Sequence, residues 1–109
     1  MRGELNSKPA HQRTRQDYER VVQAYRGVYH IAPTSLRADP SAFAVAELLA
    51  EMARQSNHSQ AAEAAITQYE FLRREYPAST HRFEALVATG DLAAEQLHDS
   101  ARARQAYEA

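Results

Sequence analysis

The stretch Ala61–Ser79, AAEAAITQYEFLRREYPAS, decides how this chain is read. Ala62, Ala65, Ile66, Tyr69, Leu72 and Tyr76 recur at the three-and-four spacing of one helical face, so the periodicity predicts an amphipathic helix. Pro77 has no N–H to carry the hydrogen-bond ladder on, and the helix is expected to stop there. Tyr69 stands eight residues before Pro77, and Tyr25 stands eight residues before Pro33 in the upstream segment VVQAYRGVYHIAP. The shared offset predicts a related helix upstream.

Working outward, 109 residues with 44% apolar content are enough for one domain with a core. No apolar run approaches the ~20 residues of a spanning helix, so direct membrane insertion is not expected. Three glycines and four prolines are too few turn signals for a sheet protein, and the fold class read from the sequence is all-α. The net charge of -1, with acids and bases interspersed, provides no field for nucleic acid. Arg2, Lys8, Arg13 and Arg15, with Tyr18, lack the stacking cluster that RNA contact needs. The absence of cysteine excludes disulfides and thiolate metal sites, and leaves the compartment open. The opening MRGELNSKPAHQRTRQ has no apolar core of a secretory signal, so as written the chain reads as cytoplasmic.

Taken in order, residues 1–12 lack periodicity and read as a flexible arm. A first helix is expected from Arg13 to Ala32 with Tyr18, Val21, Val22, Tyr25, Val28 and Tyr29 on its apolar side; Gly27 within it signals either a close neighbour or simple tolerance. The linker PTSLRADPSA leads to Asp39 as N-cap and Pro40 as first residue of a second helix, which carries Val45, Leu48, Leu49, Met52 and Ala53 to about Gln55. Asn57 is expected to take a left-handed turn and Ser59 to cap the third helix, the opening stretch. Ser79 or Thr80 should cap a fourth helix, longer than the second, with the stripe Phe83, Leu86, Val87, Gly90, Ala93, Ala94 and Leu97. His98 and Ser100 flank Asp99, the expected cap of a fifth helix carrying Ala103, Ala106 and Tyr107. A helix that stops at Ala109 without a C-cap suggests a piece of a longer protein.

The residue types needed for catalysis do not converge. The five histidines, at positions 11, 30, 58, 81 and 98, contain no pair at helical ligand spacing, so neither a metal site nor a cofactor is expected. Glu47 and Glu51 lie one turn apart, an arrangement that more often forms a solvated face than an acid–base pair. The glycines are too scattered for a phosphate loop, and no nucleophile elbow can be written. The chain is therefore not expected to be an enzyme.

Aligning Pro33 on Pro77 places Tyr25 on Tyr69, while Ala103 and Tyr107 repeat the four-residue spacing of Ala65 and Tyr69, giving a unit of 38 to 44 residues. This pattern resembles the tetratricopeptide repeat (TPR), a helix hairpin of ~34 residues whose consensus runs alanine, aromatic, proline in that order. Leu49, Met52 and Ala53 stand at the places of its tryptophan, leucine and glycine, and Ser56 replaces its tyrosine. The phrases LRREYPAST and FEALVATGDLAAEQL are similar to bacterial envelope modules of this family, of the outer-membrane assembly lipoprotein and Tol-Pal coordinator type, and to the repeat module ahead of some N-acetylmuramoyl-L-alanine amidases.

The resemblance implies about five helices stacked as antiparallel hairpins in a short right-handed α-solenoid over residues 13–109. Its units are a partial repeat at 13–33, a complete one at 40–77 and a truncated one at 79–109. Tyr25, Tyr69 and Tyr107 then fill the gaps between hairpins. It further implies a non-catalytic scaffold that binds a protein or peptide partner on a concave face lined by Glu47, Ala50, Arg54 and Asn57, then His81, Glu84, Ala88 and Asp91. An accessory domain of a cell-wall amidase or other envelope protein, which would be periplasmic, is one alternative. A helical bundle that forms a homo-dimer through its C-terminal helix is another.

Overall fold

The computed structural model describes residues 15–56 and 59–109. Among them are five helices and no strand: α1 (Arg15–Ile31), α2 (Ala38–Ser56), α3 (Ser59–Glu75), α4 (Arg82–Glu95) and α5 (Ser100–Glu108). Each helix packs chiefly on the helices next to it in sequence. The all-α reading and the number of helices agree with this architecture. The arm at residues 1–12, the helix start at Arg13 and the Asn57 turn lie outside the described residues.

The helix α3 buries most of the face the periodicity predicts, although Ser59 is its first residue rather than its cap and Tyr76 lies just past its end, half-buried. It buries Ala61, Ala62, Ala65, Ile66, Tyr69 and Leu72, and the amide of Tyr76 still reaches the Leu72 carbonyl (2.8 Å) before Pro77 ends the ladder. The alanines let neighbouring helices approach closely, while fully buried Ile66 and Leu72 each contribute about 1.5–3 kcal/mol by leaving water. From α2 come Val45, Ala46, Leu48 and Ala53, and from α1 Tyr18, Val21, Val22 and Tyr29. Gln68 is one of the polar residues buried with them. Its amide donates to the Tyr29 hydroxyl (3.2 Å) and the Ala42 carbonyl (3.3 Å), so α1, α2 and α3 meet at one satisfied buried group.

Several boundaries differ from expectation. The first residue of α2 is Ala38, not Pro40; Pro40 sits third, where its missing N–H is one that a helix start leaves unpaired anyway. Asp39 serves as an acceptor across the fold, taking a hydrogen bond from Ser79 Oγ at 2.7 Å. Ser79 in turn accepts from the amide of His81 (3.0 Å), the residue preceding α4, which has no side-chain cap of its own. Asp99 does cap α5, accepting from the amide of Arg102 at 3.0 Å. Between them His98 takes the left-handed conformation, φ 53°, and lets the Asp99 amide turn back to the Ala93 carbonyl (2.8 Å). A Cβ on Gly27 would meet nothing within 4 Å, which makes that glycine a matter of tolerance.

The largest correction concerns α4. At 14 residues it is shorter than the 19-residue α2, and of the expected stripe it buries only Gly90 and Ala93, beside Ala85, Thr89 and Leu92; Leu86 is half-buried, and Leu97 lies past the helix end. Phe83 is 76% exposed, Val87 37% exposed and Ala94 also faces solvent. The reason is packing: α3 and α5 lie against the side of α4 whose small residues allow close approach, and the bulkier residues are left outside.

The three aligned tyrosines likewise diverge. Tyr69, on a helix flanked by both α2 and α4, is 3% exposed; Tyr25, on a helix packed chiefly on α2, is half-buried; Tyr107 is 53% exposed. Tyr69→Ala is accordingly expected to cost about 3 kcal/mol, and Tyr107→Ala under about 1 kcal/mol. Denaturant melts of both variants would check this; equal losses would refute the assigned burial.

Candidate functional site

A row of rings ties three helices together beneath the surface shared by α2 and α4. The Tyr69 ring of α3 stands edge-on to Phe43 of α2, with centroids 5.9 Å apart and planes at 62°. Phe43 in turn stacks on the His81 imidazole at the start of α4, at 4.2 Å and 13°. Phe43 is buried because it is the single aromatic of α2, set among alanines that make room for it.

Charged groups surround this row. Burial pushes the Tyr69 phenol up to about 12; Glu47 adds to the rise, Arg54 opposes it and Glu84 raises it further. Glu47 and Arg54 come from α2 and Glu84 from α4, so two helices bring charges of both signs to bear on one hydroxyl. His81 Nδ1 lies 3.7 Å from Glu84 Oε1 and makes no hydrogen bond, leaving the imidazole positioned by its stack on Phe43.

Of the eight residues expected on a concave face, the fold thus gathers Glu47, Arg54, His81 and Glu84 around Tyr69. The others go elsewhere. Ala50 is 1% exposed, because α2 has α1 on one side and α3 on another and little of its girth remains open. Ala88 is half-buried. Asp91 belongs to a separate neighbourhood, where it accepts from the Tyr107 hydroxyl at 2.6 Å, and this bond is the main reason the Tyr107 phenol is raised. Asn57 falls outside the described residues. Sequence reasoning missed Phe43, Gln68 and the Asp39–Ser79 bond. A lone phenylalanine among alanines was a visible signal; the three hydrogen bonds made by Ser79 and Gln68 span 40, 39 and 26 residues and left none.

His81 also borders a cleft of about 470 Å³ where the α1–α2 and α3–α4 connections meet, lined by Pro33, Leu36, Asp39, Pro40 and Tyr76 among others. The Tyr76 hydroxyl donates to the Pro33 carbonyl (2.9 Å) and Ser79 holds Asp39, so both connections are pinned to each other. Leu36 at the rim is 97% exposed. The cleft is of mixed character: Pro33, Leu36 and Pro40 are apolar, while Thr34, Ser35 and Thr80 add hydroxyls to the carboxylates Asp39 and Glu75. Among the described residues, no group of three or more histidines and carboxylates stands close enough to hold a metal ion.

No protein-family model matches this chain, and neither does a curated protein or a solved structure.

The Tyr69 environment gives a pH dependence with a definite sign. Folding favours the protonated phenol, so its contribution is intact below the ordinary value near 10 and is lost as pH rises from 10 through about 12. Alkaline unfolding should take roughly 2–3 kcal/mol through this group, and Tyr69→Phe should flatten that part of the profile. Denaturant midpoints measured at pH 9 and pH 12 test it; an unchanged slope in the variant would refute it.

Proposed function

We propose that this chain is a non-catalytic, TPR-like module that recognises a segment of a partner protein on the surface shared by α2 and α4. The observation that carries the reading is the convergence of Glu47 and Arg54 from α2 with Glu84 of α4 and His81 just before it over the buried Tyr69–Phe43 pair. A rigid aromatic floor with charges of both signs above it suits recognition of an ordered set of complementary groups. It does not suit proton transfer, since Tyr69 is held protonated and buried.

Two further features support a repeat module. Helices that pack chiefly on their neighbours in sequence are the contact pattern of a stacked array, in which each hairpin buries its stripe on the next. The Tyr–Pro offset shared by α1 and α3 fits a repeated unit, and the Tyr76–Pro33 hydrogen bond brings the ends of those two helices together.

The test is a pull-down with the wild-type chain beside a Glu47→Arg/Arg54→Glu variant, using Arg74→Glu as a charge control on an exposed site of α3. The expected outcome is a partner retained by the wild type and the control and lost by the double variant. A partner indifferent to Glu47, Arg54 and Glu84 alike would refute the assigned surface.

A further inference from the structure

A second surface, on the outer side of α4, shares only Glu84 with the surface described above. At 3.6 residues per turn, Phe83, Val87 and Ala94 project within about 40° of one another, and all three are exposed. Gly90 would leave a gap in this line, but the Tyr107 ring of α5 fills it. A Cβ on Gly90 would overlap that ring, and the Tyr107 hydroxyl crosses to Asp91 (2.6 Å). The result is an apolar ridge of Phe83, Val87, Tyr107 and Ala94 along one helix.

The ridge has an acidic flank. Glu84, Asp91 and Glu95 follow one another along the same side of α4, and Asp91 and Glu95 both act on the Tyr107 phenol. The cations of α4 and α5 do not neutralise it in full. Arg82 projects to the opposite side of the ridge by helical phase. Arg102 is held by both carboxylate oxygens of Glu63 (2.9 and 3.0 Å), which leaves Arg104 as the exposed cation of α5.

We propose that this ridge docks an amphipathic helix of another protein, one whose apolar stripe is bordered by lysine or arginine. An apolar line of helical pitch accepts the i, i+3, i+4, i+7 anchors of such a helix, and the acidic row selects the sign of its flank. A second copy of this chain is disfavoured by the same charges. Antiparallel pairing of two α4 helices about a two-fold would set Glu84, Asp91 and Glu95 against their own copies.

The probe is a synthetic leucine-striped helix of about 18 residues, long enough to be helical, made with lysine flanks and again with glutamate flanks. Fluorescence anisotropy should show the lysine form binding wild type about tenfold tighter or better, a difference that shrinks with added salt. Phe83→Ser/Val87→Ser should abolish binding, with circular dichroism confirming that these exposed changes leave the helices intact. Glu84→Lys/Glu95→Lys should invert the preference toward the glutamate form, and Glu47→Arg/Arg54→Glu should bind as wild type does. The proposal is overturned if Phe83→Ser/Val87→Ser still binds, if charge reversal leaves the preference unchanged, or if only the Glu47/Arg54 variant loses the peptide. It is also overturned if sedimentation reveals a dimer of this chain that Phe83→Ser/Val87→Ser dissociates.

Discussion

The packing of α3 between α2 and α4 is the constraint from which the remaining features follow. Its alanines bring helix backbones close enough for Ile66, Tyr69 and Leu72 to be shut away from water, and that closeness leaves little slack elsewhere. Tyr69 can sit beneath the α2–α4 surface only because Ala62 and Ala65 do not hold the helices apart. Phe43 then fills the space beside it, and His81 settles on Phe43 as the chain enters α4. The electrostatic character of the surface is a consequence of this seating. Three charged side chains matter to one phenol because the ring is almost wholly buried.

The connections are held by the same economy. With no cysteine to cross-link them, the α1–α2 and α3–α4 segments are joined by the Tyr76–Pro33 and Ser79–Asp39 hydrogen bonds. Both use side chains that a local reading assigns to other tasks, Tyr76 to a helical stripe and Ser79 and Asp39 to N-caps. A side chain has few hydrogen bonds to give, and one made 40 residues away displaces the local one. The helix starts shift accordingly by one or two residues.

The candidate surface was half legible for a related reason. Glu47, Arg54, His81 and Glu84 were located by register along α2 and α4, and register survives folding whenever a helix forms. Ala50 and Asp91 belong to the same registers, yet one is buried and the other is tied to Tyr107. Which side of a helix stays open depends on how many neighbours surround it, and no period within the helix itself carries that number. The contrast is sharpest in α4, where Phe83, Val87 and Ala94 of the apolar stripe face solvent while its Gly90 and Ala93 are buried.

What the sequence determined by itself was the set of helices and the face of α3, because propensity, proline stops and apolar period are properties of neighbouring residues. The Asp99 cap belongs to the same class. Tertiary structure alone decided which of three equivalent tyrosines is core, which side of α4 is covered, and which carboxylates gather around Tyr69. Those outcomes depend on where a second and third helix come to rest, and small residues such as Ala85, Gly90 and Ala93 prevail there by letting backbones meet.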